Sequence, residues 1–283
     1  MTKRLHFGNV FLIGLTHALA LAAIPFFSWK ALLVCLGMLY TICPIGVNMT
    51  YHRLLTHRGF KVPTWFEYVL STIAAMSAQG PMMLWVAEHR LHHQFSDSPG
   101  EDPHTPQDGL FHAHIGHLFY HKDFEDRPEL WQKYVPDLLK HPYYRFLDKY
   151  FFIFVLLPIP FLYWAGGISF VMWGVFVRIV LMWHTSGSVN SLCHRFGYRT
   201  YEAKDLSRNF WLVGLVAAGE GWHNNHHAYP TSARHGLKWW ELDATYGLIR
   251  LAELVGLATD VKRPVGLPSI PRFLVPSALG AEI

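Results

Sequence analysis

The sequence predicts an all-α integral membrane fold with four transmembrane helices arranged as two hairpins. Three observations carry this. The 283 residues are 51% hydrophobic and only 16% charged, against about 25% charged residues in ordinary soluble domains. No Asp, Glu, Lys or Arg occurs between Arg4 and Lys30, or between Lys30 and Arg53. From Phe151 to Cys193 the sole such residue is Arg178. Each of the first two runs supplies the roughly 20 residues that one crossing needs, and the third is long enough for two.

The first crossing is placed at about residues 10–27 and the second at 31–50, with Lys30 in the turn between them. The opening "MTKRLHFGNV" is basic and leads into an apolar run too long for a signal peptide, so it reads as a retained anchor. Within 52–149, the charge-free run Tyr68–Ala87 is broken by "SAQGP" and reads as buried or interfacial helices. The third and fourth crossings, 151–166 and 168–190, meet at "WAGG", Trp164 to Gly167. Beyond Arg195, Phe210–Gly219 is too short to span, and "WWELDATYGLIRLAELVGLA" has the apolar spacing of a peripheral helix. Four crossings place both termini and the polar segments 52–149 and 195–283 on one side. Of 24 Lys and Arg, all but Lys30 and Arg178 fall there, so the positive-inside rule makes that side cytoplasmic. A net charge of +4, dispersed along the chain, gives no basis for nucleic-acid binding. Cys35, Cys43 and Cys193 form no CxxC pair and read as free thiols.

Nine of nineteen histidines fall into four tight groups: His52 and His57 in "HRLLTH", His89, His92 and His93 in "HRLHH", His194 in "NSLCHR", and His223, His226 and His227 in "HNNHH". Helical positions i, i+3 and i+4 share a face, so each His-x-x-His-His triplet presents three imidazoles to one site. His52 and His57, five apart, point about 140° from one another on an α-helix and are expected to serve two neighbouring metals. Isolated histidines such as His6, His17, His141, His184 and His235 read as interfacial or hydrogen-bonded residues. Nine grouped imidazoles at the ends of membrane helices are costly to bury unless paired or metal-bound. They exceed the four ligands of one zinc and suit two metals of five or six coordination. Iron is preferred among imidazole-binding metals because redox work needs a change of valence.

At these residues the chain resembles the integral-membrane fatty acyl desaturases, close to the Δ9 stearoyl-CoA and cyanobacterial acyl-lipid types. The family pattern HRxxxH, HRxHH, NSxxH and G-x-HxxHH reads here as "HRLLTH", "HRLHHQFSD", "NSLCHR" and "GEGWHNNHH", with "DPH", "AHIG" and "SARHGLKWWELD" as further matches between about Val47 and Val261. The resemblance implies four transmembrane helices under a cytosolic helical cap. It implies a di-iron centre bound by His52, His57, His89, His92, His93, His194, His223, His226 and His227, with Asn190 meeting one iron through water. His117 stands where the family often has Trp, and His112, His114, His117 and His121 form an extra cluster without an assigned role.

The implied reaction uses O2 and two external electrons to remove two hydrogens from adjacent methylenes, giving a cis double bond, most simply at the ninth carbon. The acyl group is expected on a lipid, on CoA or on a carrier. No HPGG-type cytochrome b5 motif occurs in the chain, so a separate ferredoxin or cytochrome b5 type donor is expected. Asp97, Asp102, Glu220 and Asp243 are candidates for carboxylates that orient imidazole N–H groups. The Glu-x-x-His strings Glu101–His104 and Glu220–His223 read as coincidences, because soluble di-iron bundles carry that motif on long helices. A histidine-box hydroxylase or ketolase is the rival enzyme. A non-enzymatic metal carrier is the rival outside enzymes, although its ligands would be expected at the bilayer midplane.

Overall fold

A computed structural model of the chain describes residues 4–264. The expected cap therefore continues, over 265–283, outside the described residues. Among the described residues there are helices and isolated β-bridges but no β-strands. Helix α1 (Phe7–Ala22) starts where His6 Nδ1 accepts the Asn9 N–H. Helix α2 (Trp29–Thr41) starts where Ser28 Oγ accepts the Ala31 N–H. These caps satisfy amide groups that a helix start would otherwise leave bare. Two helical stretches, Trp29–Thr56 and Phe151–Leu192, are long and apolar enough to cross a membrane, and Phe7–Ala22 is a shorter apolar helix.

The break at "WAGG" is present inside the second stretch. Helix α7 (Pro158–Val171), which follows α3 (Thr64–Ala75), α4 (Met82–Phe95), α5 (Leu110–His114), α6 (Pro142–Lys149) and several shorter helices, turns at Gly166 and Gly167. Gly167 has φ +64°, a left-handed conformation that glycine adopts without a Cβ clash. A π-helical turn, Met172–Val177, then leads into α8 (Arg178–Leu192). The "SAQGP" break also holds, since α3 ends at Ala75 and α4 begins at Met82. Further on lie α9 (Trp211–Val216), α10 (His223–Ala228) and α11 (Ala244–Leu254). All three cysteines are free and buried.

The element that most affects the site is a 15-residue π-helix, Ile42–Thr56, continuing α2. His57 N donates to His52 O at 3.1 Å, five residues back. The hydroxyls of Thr50 and Thr56 reach the carbonyls of Ile45 and Tyr51, again five residues back. Hydrogen bonding at i→i+5 widens each turn, so residues five apart come closer to one face than they do in an α-helix. The expectation that His52 and His57 diverge is therefore corrected. It assumed α-helical periodicity, and the π register brings their rings to a 4.9 Å centroid separation.

Helix α4 carries three of the histidines, and Asp148 on α6 anchors its start. Both carboxylate oxygens accept from Met83 N at 3.2 Å. Burial pushes the Asp148 carboxyl up to about 7, against the downward pull of those N–H groups. Because the folded value lies above the unfolded one, the stabilisation is present below about pH 4 and is lost as pH rises through 7. The Asp148→Asn variant, neutral throughout, is expected to gain about 2 kcal/mol on the wild type between pH 5.5 and 7. Paired thermal unfolding at the two pH values reads this difference; parallel curves would refute it.

Candidate metal centre

The nine histidines converge, but not triplet by triplet. His52, His57, His89, His93 and His226 form one group, and His92, His194, His223 and His227 form another, with ligand-capable atoms within 4.8 Å of one another in each. This corrects the expectation that each His-x-x-His-His serves one site. On both α4 and α10, residues i and i+4 share a stripe, while i+3 is rotated about 60° away from it. Thus His89 and His93 join the first group while His92 joins the second, and His223 and His227 join the second while His226 joins the first. The groups adjoin: the His93 and His227 rings stack at 4.5 Å.

Carboxylates fix the rings. His92 Nδ1 lies 2.9 Å from Asp102, His194 Nδ1 2.8 Å from Asp97, His227 Nδ1 2.6 Å from Asp205 and His52 Nδ1 2.6 Å from Glu220. A carboxylate on Nδ1–H leaves Nε2 as the lone-pair atom and sets the ring orientation. His52 Nε2 then faces His226 Nε2 at 3.0 Å, and His227 Nε2 faces His223 Nε2 at 3.0 Å. His194 Nε2 and His57 Nε2 are buried with no hydrogen-bond partner among the described residues. Asp97 holds its pose at φ +61°, a strained backbone for a non-glycine residue. Its other bonds, from Leu206 N and Thr105 Oγ1, keep it there.

Of the four carboxylates expected beside imidazoles, Asp97, Asp102 and Glu220 are found there. Asp243 is not: it accepts from Arg53 Nη1 at 2.9 Å, from the backbone of His235 and Gly236, and from Tyr246 N at the start of α11. Asp205 takes the fourth imidazole and was missed, since it sits in the loop 199–209 with no motif to mark it. The two arginines beside the histidines act as cross-links, Arg53 fully buried and Arg90 partly buried. Arg53 gives Nε and Nη2 to Glu220 Oε1 and Nη1 to Asp243 and to Ala233 O. Arg90 ties Leu55 O and Thr56 O, at the end of the π-helix, to Asp137.

Burial drives the imidazoles of His57, His89, His93, His223, His226 and His227 well below their ordinary pKa, so they are neutral, as metal ligands must be. At His92 burial also lowers the pKa, but Asp102 outweighs it and the net shift is upward. Burial would raise Glu220, yet Arg53 holds it well below the carboxylate range.

A cavity of about 100 Å³ lies against the centre. It is lined by Cys43, Val47 and His52, by Trp85 and His89 on α4, by Thr185, Val189 and Asn190 on α8, and by His223. Asn190 thus faces the space beside the histidines. The cluster His112, His114, His117 and His121 is dispersed: His117 lines the cavity and donates Nδ1–H to His112 O, His114 pairs with Ser191 and His184, and His121 pairs with Glu125. In the sequence His235 stands as an isolated histidine. It is instead fully buried, 4.4 Å from the His226 ring. Glycines make this packing possible. A Cβ at Gly221, two residues before His223, would lie 2.0 Å from Gly214 N.

Among the described residues, helices hold two adjoining histidine groups beside a cavity, as a histidine-box oxidoreductase requires. The chain belongs to the fatty acid desaturase family, whose model matches residues 27–254 and so takes in all nine histidines. It is 45% identical over 264 residues to the sn-2 palmitoyl-lipid 9-desaturase of Nostoc sp. (strain 36), covering 92% of this chain and 91% of that one. It is 46% identical over 257 residues to the sn-1 stearoyl-lipid 9-desaturase of Anabaena variabilis, covering 90% and 92%. It is 44% identical over 257 residues to the acyl-CoA C20 Delta5-desaturase of Anemone leveillei, covering 90% and 81%. The protein is an oxidoreductase of the acyl desaturase type.

Proposed function

We propose that the chain introduces a cis double bond at the ninth carbon of a saturated acyl chain carried on a membrane lipid, using a di-iron centre. The observation that carries the reading is the five-and-four histidine arrangement, with fixed Nε2 atoms, beside a cavity that shares His52, His89 and His223. The residues fit two divalent cations. The four carboxylates touching imidazoles hold a formal charge of −4, which two such ions balance, while Arg53 is balanced by Asp243. His52, His57, His89, His93 and His226 would hold one iron. His92, His194, His223 and His227 would hold the other, with Asn190 beside the open face. Two irons held there supply, with O2 and two electrons and two protons from outside, the oxidising power to take one hydrogen from each of two neighbouring methylenes, the oxygen leaving as two waters.

The protein's own part is positional. Carboxylate-pinned imidazoles keep the ligand set rigid. Thr185, Val189, Cys43 and Val47 line the space an acyl chain would enter, so the carbon reached would be set by how far the chain threads past His52 and His89. The named relatives include both 9- and 5-desaturases at similar identity. The 9-register and the lipid carrier are favoured here by the two lipid 9-desaturases, which this chain matches over nearly their whole length. Four crossings, with the centre and both termini on the cytoplasmic side, suit the apolar helices and the Lys/Arg distribution. The electrons then come from a separate cytoplasmic donor of ferredoxin or cytochrome b5 type.

The test is expression in a host lacking its own desaturase, followed by mass spectrometry of double-bond adducts on intact lipids. The expected product is a 9-monoene on glycerolipid. A dominant hydroxylated product would overturn the reaction. Unsaturation at another carbon would overturn the register.

A further inference from the structure

We infer that His235 is a positioning residue of the five-histidine group, acting on His52 through Glu220 and on His226 through ring contact. This rests on the di-iron reading above. His235 is fully buried, and neither ring nitrogen makes a well-formed hydrogen bond among the described residues. A buried imidazole with both polar atoms unsatisfied is costly, and such groups in native cores call for a functional explanation. Its backbone is held firmly. The N–H donates to Asp243 Oδ2 at 2.8 Å and the carbonyl accepts from Asn225 Nδ2 at 2.8 Å. The next residue, Gly236, leaves no room to relax, since a Cβ there would lie 2.0 Å from Glu241 O.

The ring is therefore aimed by a rigid loop, and it is aimed at Glu220. His235 Nδ1 lies 3.4 Å from Glu220 Oε2, the same oxygen that stands 2.6 Å from His52 Nδ1. Glu220 Oε1 is already taken by two Arg53 N–H groups. His235 Nδ1 thus backs the second oxygen from 3.4 Å, beyond a well-formed hydrogen bond, and its dipole favours the carboxylate pose that meets His52. The other face of the ring braces His226, with centroids at 4.4 Å and planes 33° apart. His235 lies in the quoted stretch "SARHGLKWWELD", eight positions after the last histidine of "HNNHH", but no histidine spacing ties it to the metal groups.

The test compares His235→Asn with His235→Gln in the full-length, iron-loaded protein in detergent. The asparagine amide falls where Nδ1 was, and the glutamine amide falls nearer Nε2. Iron release to a ferrous chelator is followed by absorbance. The asparagine variant, which keeps the Nδ1-side donor but loses the ring against His226, is expected to hold iron less tightly than wild type and more tightly than the glutamine variant. The glutamine variant, and His235→Leu, should release one of two irons at chelator concentrations about 10–100-fold lower, the usual effect of losing an outer partner of a ligand. Equal retention by all three variants, or equal loss by asparagine and glutamine, would overturn the assignment. Wild-type protein holding fewer than two irons would overturn the reading beneath it as well.

Discussion

Replacing Arg53 by leucine is expected to cost about 3–5 kcal/mol of stability, because it leaves two buried carboxylates without their cation. The guanidinium is fully buried and uses all three nitrogens on Glu220, Asp243 and Ala233 O. These partners belong to three separate stretches of the chain, so one side chain ties the end of the π-helix to the turn before α10 and to the start of α11. For a chain this size the loss corresponds to a fall in melting temperature of roughly 6–20 °C. Iron retention should fall with it, since Glu220 also sets the His52 ring. Arg53→Lys keeps the charge but loses the planar fork, so it should fall between the two. Thermal unfolding in detergent decides the matter, and a leucine variant melting within about 2 °C of wild type would refute it.

Much of this arrangement can be read from the sequence, and the parts that cannot share a physical cause. The apolar runs, the "SAQGP" and "WAGG" breaks and the nine grouped histidines are local patterns, and local patterns survive folding. The pairing of His52 with His57 is not local in that sense. It depends on a π register that nothing in α-helical periodicity announces, and that the Thr50 and Thr56 hydroxyls help to hold. The division of each triplet between two groups follows from helical geometry but requires knowing that α4 and α10 face one another. Asp205 comes from a loop, where a single carboxylate has no periodic neighbours to mark it, and His235, although inside the quoted "SARHGLKWWELD", has no histidine partner at helical spacing to suggest a role. Asp243 reads from the sequence as a carboxylate that orients an imidazole and not as the partner of Arg53, since 190 residues separate the two. Ligand types were thus visible in the motifs, while their partners depended on tertiary contacts.

His223→Ala and His226→Ala are expected to differ in metal content while sharing the loss of activity. His223 belongs to the four-histidine group and His226 to the five-histidine group. Removing His223 leaves three imidazoles in the group that has fewer ligands to begin with, so its iron should be held more weakly through purification and the variant should retain about one iron per chain. Removing His226 leaves four imidazoles in its group, one of them fixed by Glu220, so more of the second iron should remain. Activity should still fall by at least about a hundredfold in both, beyond the 10–100-fold typical of outer partners, because each loses a direct ligand. The reaction draws two electrons and two hydrogens through one centre, so an intact neighbouring group cannot substitute. Each variant is checked by iron analysis and by monoene formation in a desaturase-deficient host. A His226→Ala enzyme retaining more than about a tenth of wild-type activity would show that His226 is not a ligand. If His223→Ala retained two irons and His226→Ala retained one, the five-and-four division itself would be wrong.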